Sequence, residues 1–300
     1  MRIAITGGTG FIGRWFLKMF GDKYNFIVLG IEPNINELVI DEKKYKFIKT
    51  DYSYNELMKY LKSVDAVVHL AAKRYKPESQ MDYYLQNILI SDNLFYSCKT
   101  LGIKNIIHLS SIGVYTPELD LPWIENQNVN PLNFYTILKL TVEKIANYYN
   151  NEFSMNIKNL RLAQVLGFGE RDGYMLSIFI KSAFNKKTLN IFGKGEGRRE
   201  YIYVKDVINA IDCALNKQEE QGVYNIGTNK NYSHLELAKK INEVFDNKGN
   251  IQLLPNHFED KSVYLMNIEK AEKKLNWKPL WELNEALKDI RNIMNKYGNV

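Results

Sequence analysis

Two cysteines, four histidines and seven prolines are all that 300 residues contain of these types. Cys98 and Cys213 cannot build a disulfide framework, and so small a thiol content fits a reducing cytoplasm. His69, His108, His234 and His257 lack the short spacings of a metal-ligand set, so no metal is expected and core or surface places are the simpler reading. No apolar run approaches the ~18 residues of a membrane span. The first apolar run starts beside Met1, at Arg2–Thr6, which leaves no room for a signal peptide; no membrane partner is expected. Arginine is scarce beside lysine, 8 against 32, within a net charge of +6. The basic residues form no helix or arm interleaved with aromatics, which argues against nucleic acid and leaves anionic small molecules as partners.

What is present reads as an ordinary folded chain, 45% hydrophobic and 25% charged. Its length suits one large α/β domain, or a cofactor domain with a smaller lobe. The runs Arg2–Thr6, Phe26–Leu29, Lys46–Ile48, Ala66–Leu70 and Ile106–Leu109 are β-branched and too short for helices, so they predict buried strands. Helical periodicity lies between and after them, near 12–20, 54–61, 83–101 and 134–149. This alternation predicts a doubly wound parallel sheet with helices on both faces. Beyond residue 160 the pattern loosens to a strand at 159–162, helices near 174–185, 204–215, 233–245 and 284–294, and an irregular segment at Gly193, Gly195 and Gly197.

Thr6-Gly7-Gly8-Thr9-Gly10-Phe11-Ile12-Gly13 follows the first strand and opens the first helix. Gly7 allows a tight turn, Gly10 lets backbone approach a pyrophosphate, and Gly13 permits close helix packing, as in a dinucleotide loop. The helix start, with Phe11 and Ile12, adds free N–H groups and a positive dipole for the anion. The bland alternative, a Gly-rich turn, does not explain this strand-to-helix setting. The second strand runs Val28-Leu29-Gly30-Ile31-Glu32. Gly30 stands where an acid for the ribose is expected, and Glu32 substitutes for it if the chain turns back. No basic residue stands beside it for a 2′-phosphate, though Arg14 is a candidate; NAD is therefore favoured and NADP stays open. Asp51, with Tyr52 beside it, is placed to cap the adenine or simply to cap the next helix. Residues 1–163 then read as a Rossmann NAD(P)-binding domain, and 164–300 as a smaller C-terminal α/β substrate lobe, partly interleaved with it.

Tyr and Lys stand four apart at Tyr45/Lys49, Tyr135/Lys139 and Tyr201/Lys205. A lysine ammonium beside a phenol lowers its pKa and lets it move protons near neutrality. Tyr45/Lys49 falls on a strand run and Tyr201/Lys205 across a strand-to-helix junction. Only Tyr135/Lys139 has helical periodicity, which puts both side chains on one face. Ser110 and Ser111 end the strand 106–109 upstream of it, at the sheet edge where ligands bind. A serine there either hydrogen-bonds a substrate oxygen or merely caps a turn.

With these residues the chain resembles the extended short-chain dehydrogenase/reductase superfamily, in its NAD-dependent nucleotide-sugar epimerase/dehydratase branch. The likeness runs through Thr6–Gly13, His69-Leu70-Ala71-Ala72, Asn87, Ser110–Tyr115, Tyr135/Lys139, Leu160-Arg161, Gly193–Tyr201, Val204–Asp206, Tyr224–Gly227 and Leu275–Pro279. It implies that Ser111 holds the substrate oxygen, that Tyr135 transfers the proton, and that Lys139 binds the nicotinamide ribose. It also implies that Leu70, Ala71 and Ala72 line the cofactor and that Arg199 meets the substrate diphosphate, the alternative for Arg199 being a solvated loop charge. A homodimer built on helices 83–101 and 134–150 is implied too.

Two departures are informative. The branch's 4,6-dehydratases carry Asp-Glu after the hydroxyl residue, where this chain has Ile112-Gly113, which cannot move protons. Its Asn-Val-Tyr-Gly is replaced by Gln164-Val165-Leu166-Gly167, leaving Gln164 as the amide for substrate. The expected activity is hydride transfer at C4 of a nucleotide-linked sugar, with a 4-epimerase favoured because Glu32 suits NAD. A 4-keto-6-deoxysugar reductase, a dehydrogenase at another carbon, a reductase of apolar ketones and a non-catalytic dinucleotide sensor stay as alternatives. Retained Ser111, Tyr135 and Lys139 argue against the sensor, and the hydrophilic segment ending at Arg199 argues against an apolar substrate.

Overall fold

Strand β1 (Arg2–Thr6) and helix α1 (Phe11–Phe20) open the chain in the computed structural model, which describes residues 1–32, 35–76 and 78–298. Then follow β2 (Asn25–Gly30), β3 (Glu37–Ile40), β4 (Lys43–Lys49), α2 (Tyr54–Tyr60), β5 (Ala66–His69), α3 (Met81–Leu101), β6 (Asn105–Ser111), α4 (Phe134–Phe153) and β7 (Asn156–Leu162). The rest comprises β8 (Gln164–Leu166), α5 (Met175–Phe184), β9 (Leu189–Phe192), β10 (Arg198–Tyr203), α6 (Val204–Asn216), β11 (Gly222–Ile226), β12 (Asn231–Ser233), α7 (His234–Val244), β13 (Ile251–Leu254), α8 (Glu269–Leu275) and α9 (Leu283–Tyr297).

Eight strands form the main sheet in the order β11-β7-β6-β5-β1-β2-β4-β3. All pairings are parallel except β3 against β4. The expected doubly wound Rossmann sheet is thus found. Its strands bury both faces, and side-chain alternation divides them. Ile3 and Ile5 of β1 pack with Phe16 and Leu17 of α1 and with Val207 and Ile211 of α6. Ala4, between them, packs with Leu57 of α2, Leu94 and Phe95 of α3, and Val142 and Ala146 of α4.

The order of the strands reverses at β1. β2 lies on one side of it, and the chain then crosses back to place β5 on the other. Such a reversal opens a crevice beyond the carboxyl ends of the strands, where ligands of open α/β sheets bind. Residues after 163 share the sheet, for β11 forms the edge beside β7. The remainder builds the smaller lobe, from the sheet β12-β10-β8, the pair β13-β9, and α5, α7 and α9. β10 and α6 meet at Tyr203–Val204, so Tyr201 and Lys205 do straddle a strand-to-helix junction.

The edge strand β3 was not expected. Its hairpin to β4 turns at Asp41 and Glu42, both at positive φ (46° and 67°). Asn-Gly usually signals that turn, and here neither residue is present.

Candidate active site

A cleft of about 970 Å³ opens at the reversal point and runs from Gly7–Gly13 to Arg199 and Tyr264. At one end, Gly7 holds φ +69°, and a Cβ on it would lie 2.7 Å from the backbone nitrogen of Ala71. A Cβ on Gly13 would lie 2.4 Å from the Gly7 carbonyl oxygen. Both glycines are therefore required by close backbone approach. Gly10 begins α1 with no side chain capping the helix, so its first N–H groups face the cleft end uncapped. Thr6 Oγ1 accepts from the backbone of Leu70 and Ala71 (3.2 and 3.1 Å), tying the end of β5 to this loop. Phe11, Ile12, Leu70, Ala71 and Ala72 all line the cleft.

Glu32 does turn back. Its carboxylate folds over Gly30, where a Cβ would strike Oε2, and its Oε1 accepts from Thr9 Oγ1. Oε2 is buried and has no hydrogen-bond partner among the described residues. An orphaned carboxylate oxygen at this end of the cleft suits a ribose hydroxyl and repels a 2′-phosphate. Arg14 is directed to the Thr9 carbonyl instead (3.0 Å). Asp51 lines the cleft and caps the next turn, accepting from the Ser53 N–H at 2.8 Å; the Ser53 hydroxyl, with that N–H, holds its pKa below the ordinary value. Tyr52 is buried at φ 59° and donates to the Leu29 carbonyl (2.9 Å), so it walls the cleft through packing.

At the other end, Ser111, Tyr135 and Lys139 share the cleft wall. Ser111 ends β6 and its Oγ accepts from Gly113 N (3.1 Å), capping a single 3-10 turn over Ile112–Val114. The capping reading of this serine is thus seen, and its hydroxyl proton remains to be donated. Asn133 caps α4 and sets the register that brings Tyr135 and Lys139 to one face. Lys139 is buried and donates to the Leu109 carbonyl (2.7 Å); burial holds its pKa down at about 8.

Tyr135 corrects one expectation. Its phenol is not lowered by Lys139 but pushed up to about 12, because loss of solvent outweighs the opposing pull of Arg74. The ammonium lies 5.9 Å from the Tyr135 ring and is engaged by a backbone carbonyl, so its help is weak in this state of the cleft.

Ser110 points the other way. It donates to Glu143, which Arg161 grips through Nε (3.0 Å) and a terminal nitrogen (2.7 Å). Arg161 also donates to Tyr115 Oη (2.8 Å), which donates to Asn225 Oδ1 (2.8 Å). Asn225 in turn donates to the carbonyls of Trp123 and Asn267. Burial works against the Arg161 charge, but Glu143 holds its pKa above the ordinary value. This buried chain of polar groups joins α4, one turn beyond Lys139, to β11 and the segment before α8. Of its members, Ser110, Tyr115, Arg161 and Asn225 lie in the segments of family likeness, whereas no sequence feature pointed to Glu143. His69 and His108 are core residues, bonded to Thr6 and Ser91 and to Asn159, and burial drives His69 down to about 3.

On the substrate side, Gln164 begins β8 and lines the cleft. Arg199 is no loop charge. It lies on β10, bonds Asp260 and the Ser262 carbonyl (both 2.5 Å), and sits 4.3 Å from the Tyr264 ring. Glu200 is tied by the N–H groups of Thr228, Asn229 and Met266, although burial still pushes its pKa up to about 7. Sequence reasoning missed Lys73, Arg74, Glu170 and Tyr174, which also line the cleft. Arg74 was the one to question, as one of only eight arginines and two residues past Ala72. No group of His, Cys, Asp and Glu among the described residues is arranged to hold a metal ion, and no described helix is long and apolar enough to cross a membrane.

The sequence model of the NAD dependent epimerase/dehydratase family matches residues 3–227. Among solved structures, UDP-N-acetylglucosamine 4-epimerase from Bacillus cereus superposes with a TM-score of 0.90 at 31% identity, over 100% of this chain and 98% of that one. UDP-glucose 4-epimerase from Thermotoga maritima gives 0.87 at 25%, over 99% of each chain. A dTDP-D-glucose 4,6-dehydratase of Dictyostelium discoideum is 31% identical over 80% of this chain and 61% of its own length.

Proposed function

The chain belongs to the NAD-dependent epimerase/dehydratase family, a family of enzymes whose cofactor is NAD, and we propose that it is a nucleotide-sugar 4-epimerase. One observation carries this reading: the Tyr135 end of the cleft offers a hydroxyl, a phenol and cations, but no carboxylate beside the Ser111 hydroxyl to eliminate water. Ile112 and Gly113 stand beside Ser111, Glu170 is paired with Arg74, and Glu200 is held by three backbone N–H groups. Glu32 and Asp51 lie at the opposite, adenosine end. Both relatives among solved structures reported above are named 4-epimerases, which supports the same choice.

In this reading the Gly7–Gly13 loop receives the pyrophosphate and Glu32 the adenosine ribose. Asp51 and Tyr52 border the adenine, Leu70–Ala72 flank the cofactor, and Lys139 holds the nicotinamide ribose. Bound NAD supplies the hydride acceptor and, once reduced, the donor. Ser111 donates to the C4 oxygen and fixes its position. Tyr135 takes the C4 hydroxyl proton as the C4–H bond breaks with its electron pair, leaving a ketone. When hydride returns to the opposite face of C4, Tyr135 gives the proton back and the other epimer forms. Arg199 and Gln164 hold the nucleotide side of the substrate.

Substrate deuterated at C4 tests this. An epimerase interconverts the two C4 epimers, keeps deuterium at C4 and consumes no added NADH. Reduction of a supplied 4-keto-6-deoxy sugar with stoichiometric consumption of NAD(P)H identifies a ketoreductase instead, and a 4-keto-6-deoxy product from the deuterated sugar a dehydratase.

A homodimer is part of the proposal. Leu85, Leu89 and Tyr96 recur at helical spacing on the open face of α3, as Ile137 and Tyr148 do on α4, and all are exposed. Leu89→Glu combined with Ile137→Glu is expected to halve the mass measured by analytical ultracentrifugation. An unchanged mass refutes this interface.

A further inference from the structure

Four cations line the cleft: Lys73, Arg74, Lys139 and Arg199. Three are engaged. Lys73 lies over the Tyr83 ring at 4.8 Å, on α3. Lys139 is bonded to the Leu109 carbonyl. Arg199 bonds Asp260 and two carbonyls. Arg74 differs: its guanidinium makes one hydrogen bond among the described residues, from Nη1 to Glu170 Oε1 at 2.5 Å, and its side chain is 43% exposed. Most of its five N–H groups remain available. Its guanidinium carbon lies 5.2 Å from the centroid of the Tyr174 ring, which also lines the cleft. It is also close enough to Tyr135 to pull on that phenol's titration.

This placement has a chemical meaning that rests on the reading above. If C4 of the hexose lies at Tyr135 and the diphosphate at Arg199, a cation beside Tyr135 meets the substituent beyond C4, at C5. A neutral hydroxymethyl group there needs no guanidinium. A carboxylate matches one with two parallel, charge-assisted hydrogen bonds, and arginine is the side chain suited to that geometry. Glu170 provides the counter-charge meanwhile, from an exposed arginine that a second carboxylate can claim.

We propose that Arg74 is a specificity residue that reads a C6 carboxylate, so that the substrate is a nucleotide-linked hexuronate and its carboxylate replaces Glu170 on the guanidinium. Glu170 then acts as an internal competitor.

The test compares glucuronate with glucose, each as its UDP and its dTDP conjugate, on the purified enzyme. Charge-assisted bonding predicts kcat/KM about 10–100-fold higher for the uronate. In Arg74→Gln that ratio collapses towards one. In Glu170→Gln the uronate KM falls and the ratio rises, an outcome that a merely structural ion pair does not give. A wild-type ratio near one with active enzyme overturns the inference and leaves the 4-epimerase reading standing. So does an equal loss on both sugars in Arg74→Gln, which makes the pair a latch between the two segments. Turnover of neither sugar in either conjugate overturns the inference, and the deuterium test on other nucleotide-linked sugars then decides the 4-epimerase reading.

Discussion

Replacing Glu143 by Gln is expected to cost the fold about 3–5 kcal/mol, because it strands a buried cation. Arg161 and Glu143 have side-chain exposures of only 4% and 3%. Glu143 accepts three hydrogen bonds, one from Ser110 and two from Arg161. A carboxamide supplies one oxygen for these and turns its own N–H groups towards the guanidinium. The charge of Arg161 is then uncompensated in a site that water does not reach. Guanidinium denaturation measures the loss. Lys18→Met serves as the control, since its pair with Asp41 is 40% and 57% exposed and contributes at most about 1 kcal/mol. Removing both charges with Glu143→Leu and Arg161→Met is expected to cost less than Glu143→Gln alone, because a paired loss leaves no buried charge. A loss for Glu143→Gln no larger than the control's refutes the argument.

The same network shows where reading the sequence stops. β1, the glycine loop and α1 were legible because their constraints are local: a β-branched run, three glycines at fixed spacing, then a helical stripe. Glu32 was legible in part, for the sequence showed Gly30 in the acid's usual place and only the fold shows the carboxylate turned over it. Residue chemistry alone does not distinguish Ser110 from Ser111, and only the family likeness singled out Ser111. The pleat of β6 separates them, sending Ser110 inwards to Glu143 and leaving Ser111 at the 3-10 turn.

The smaller lobe was the least legible part. Its strands β8, β9, β12 and β13 have three or four residues each, too few for periodicity to register. The Gly193–Gly197 segment read as irregular, and it is shaped from a distance, by Glu259 accepting from the N–H groups of Lys194, Glu196 and Gly197. Arg74 escaped notice for a similar reason. Its partners Glu170 and Tyr174 are about a hundred residues away, so only the closed fold places it beside Tyr135.

Tyr135→Phe is expected to lower kcat by about 10²–10⁴-fold, the usual contribution of a positioned proton carrier. The change removes one oxygen and keeps the ring among Tyr75 and Tyr84, whose centroids lie 6.5 and 6.1 Å away, so NAD binding and thermal stability should scarcely move. The pH profile separates the roles of the pair. Burial raises the phenol to about 12, so in the free cleft it is protonated throughout the neutral range and starts as a donor. To accept a proton from substrate it must be lowered by nearby positive charge: Arg74 already pulls on it, and Lys139, 5.9 Å from the ring, adds its charge once it leaves the Leu109 carbonyl. Lys139, held down at about 8 from an ordinary 10.5, carries its charge below pH 8 and loses it as the pH rises through that value. kcat/KM is therefore expected to fall above about pH 8 in the wild type, and Lys139→Met to be slower at neutral pH and to lack that fall. If Tyr135→Phe retains turnover within about threefold, the phenol is not the proton carrier; a wild-type profile flat through pH 8 would transfer the tuning from Lys139 to Arg74, whose charge does not titrate there.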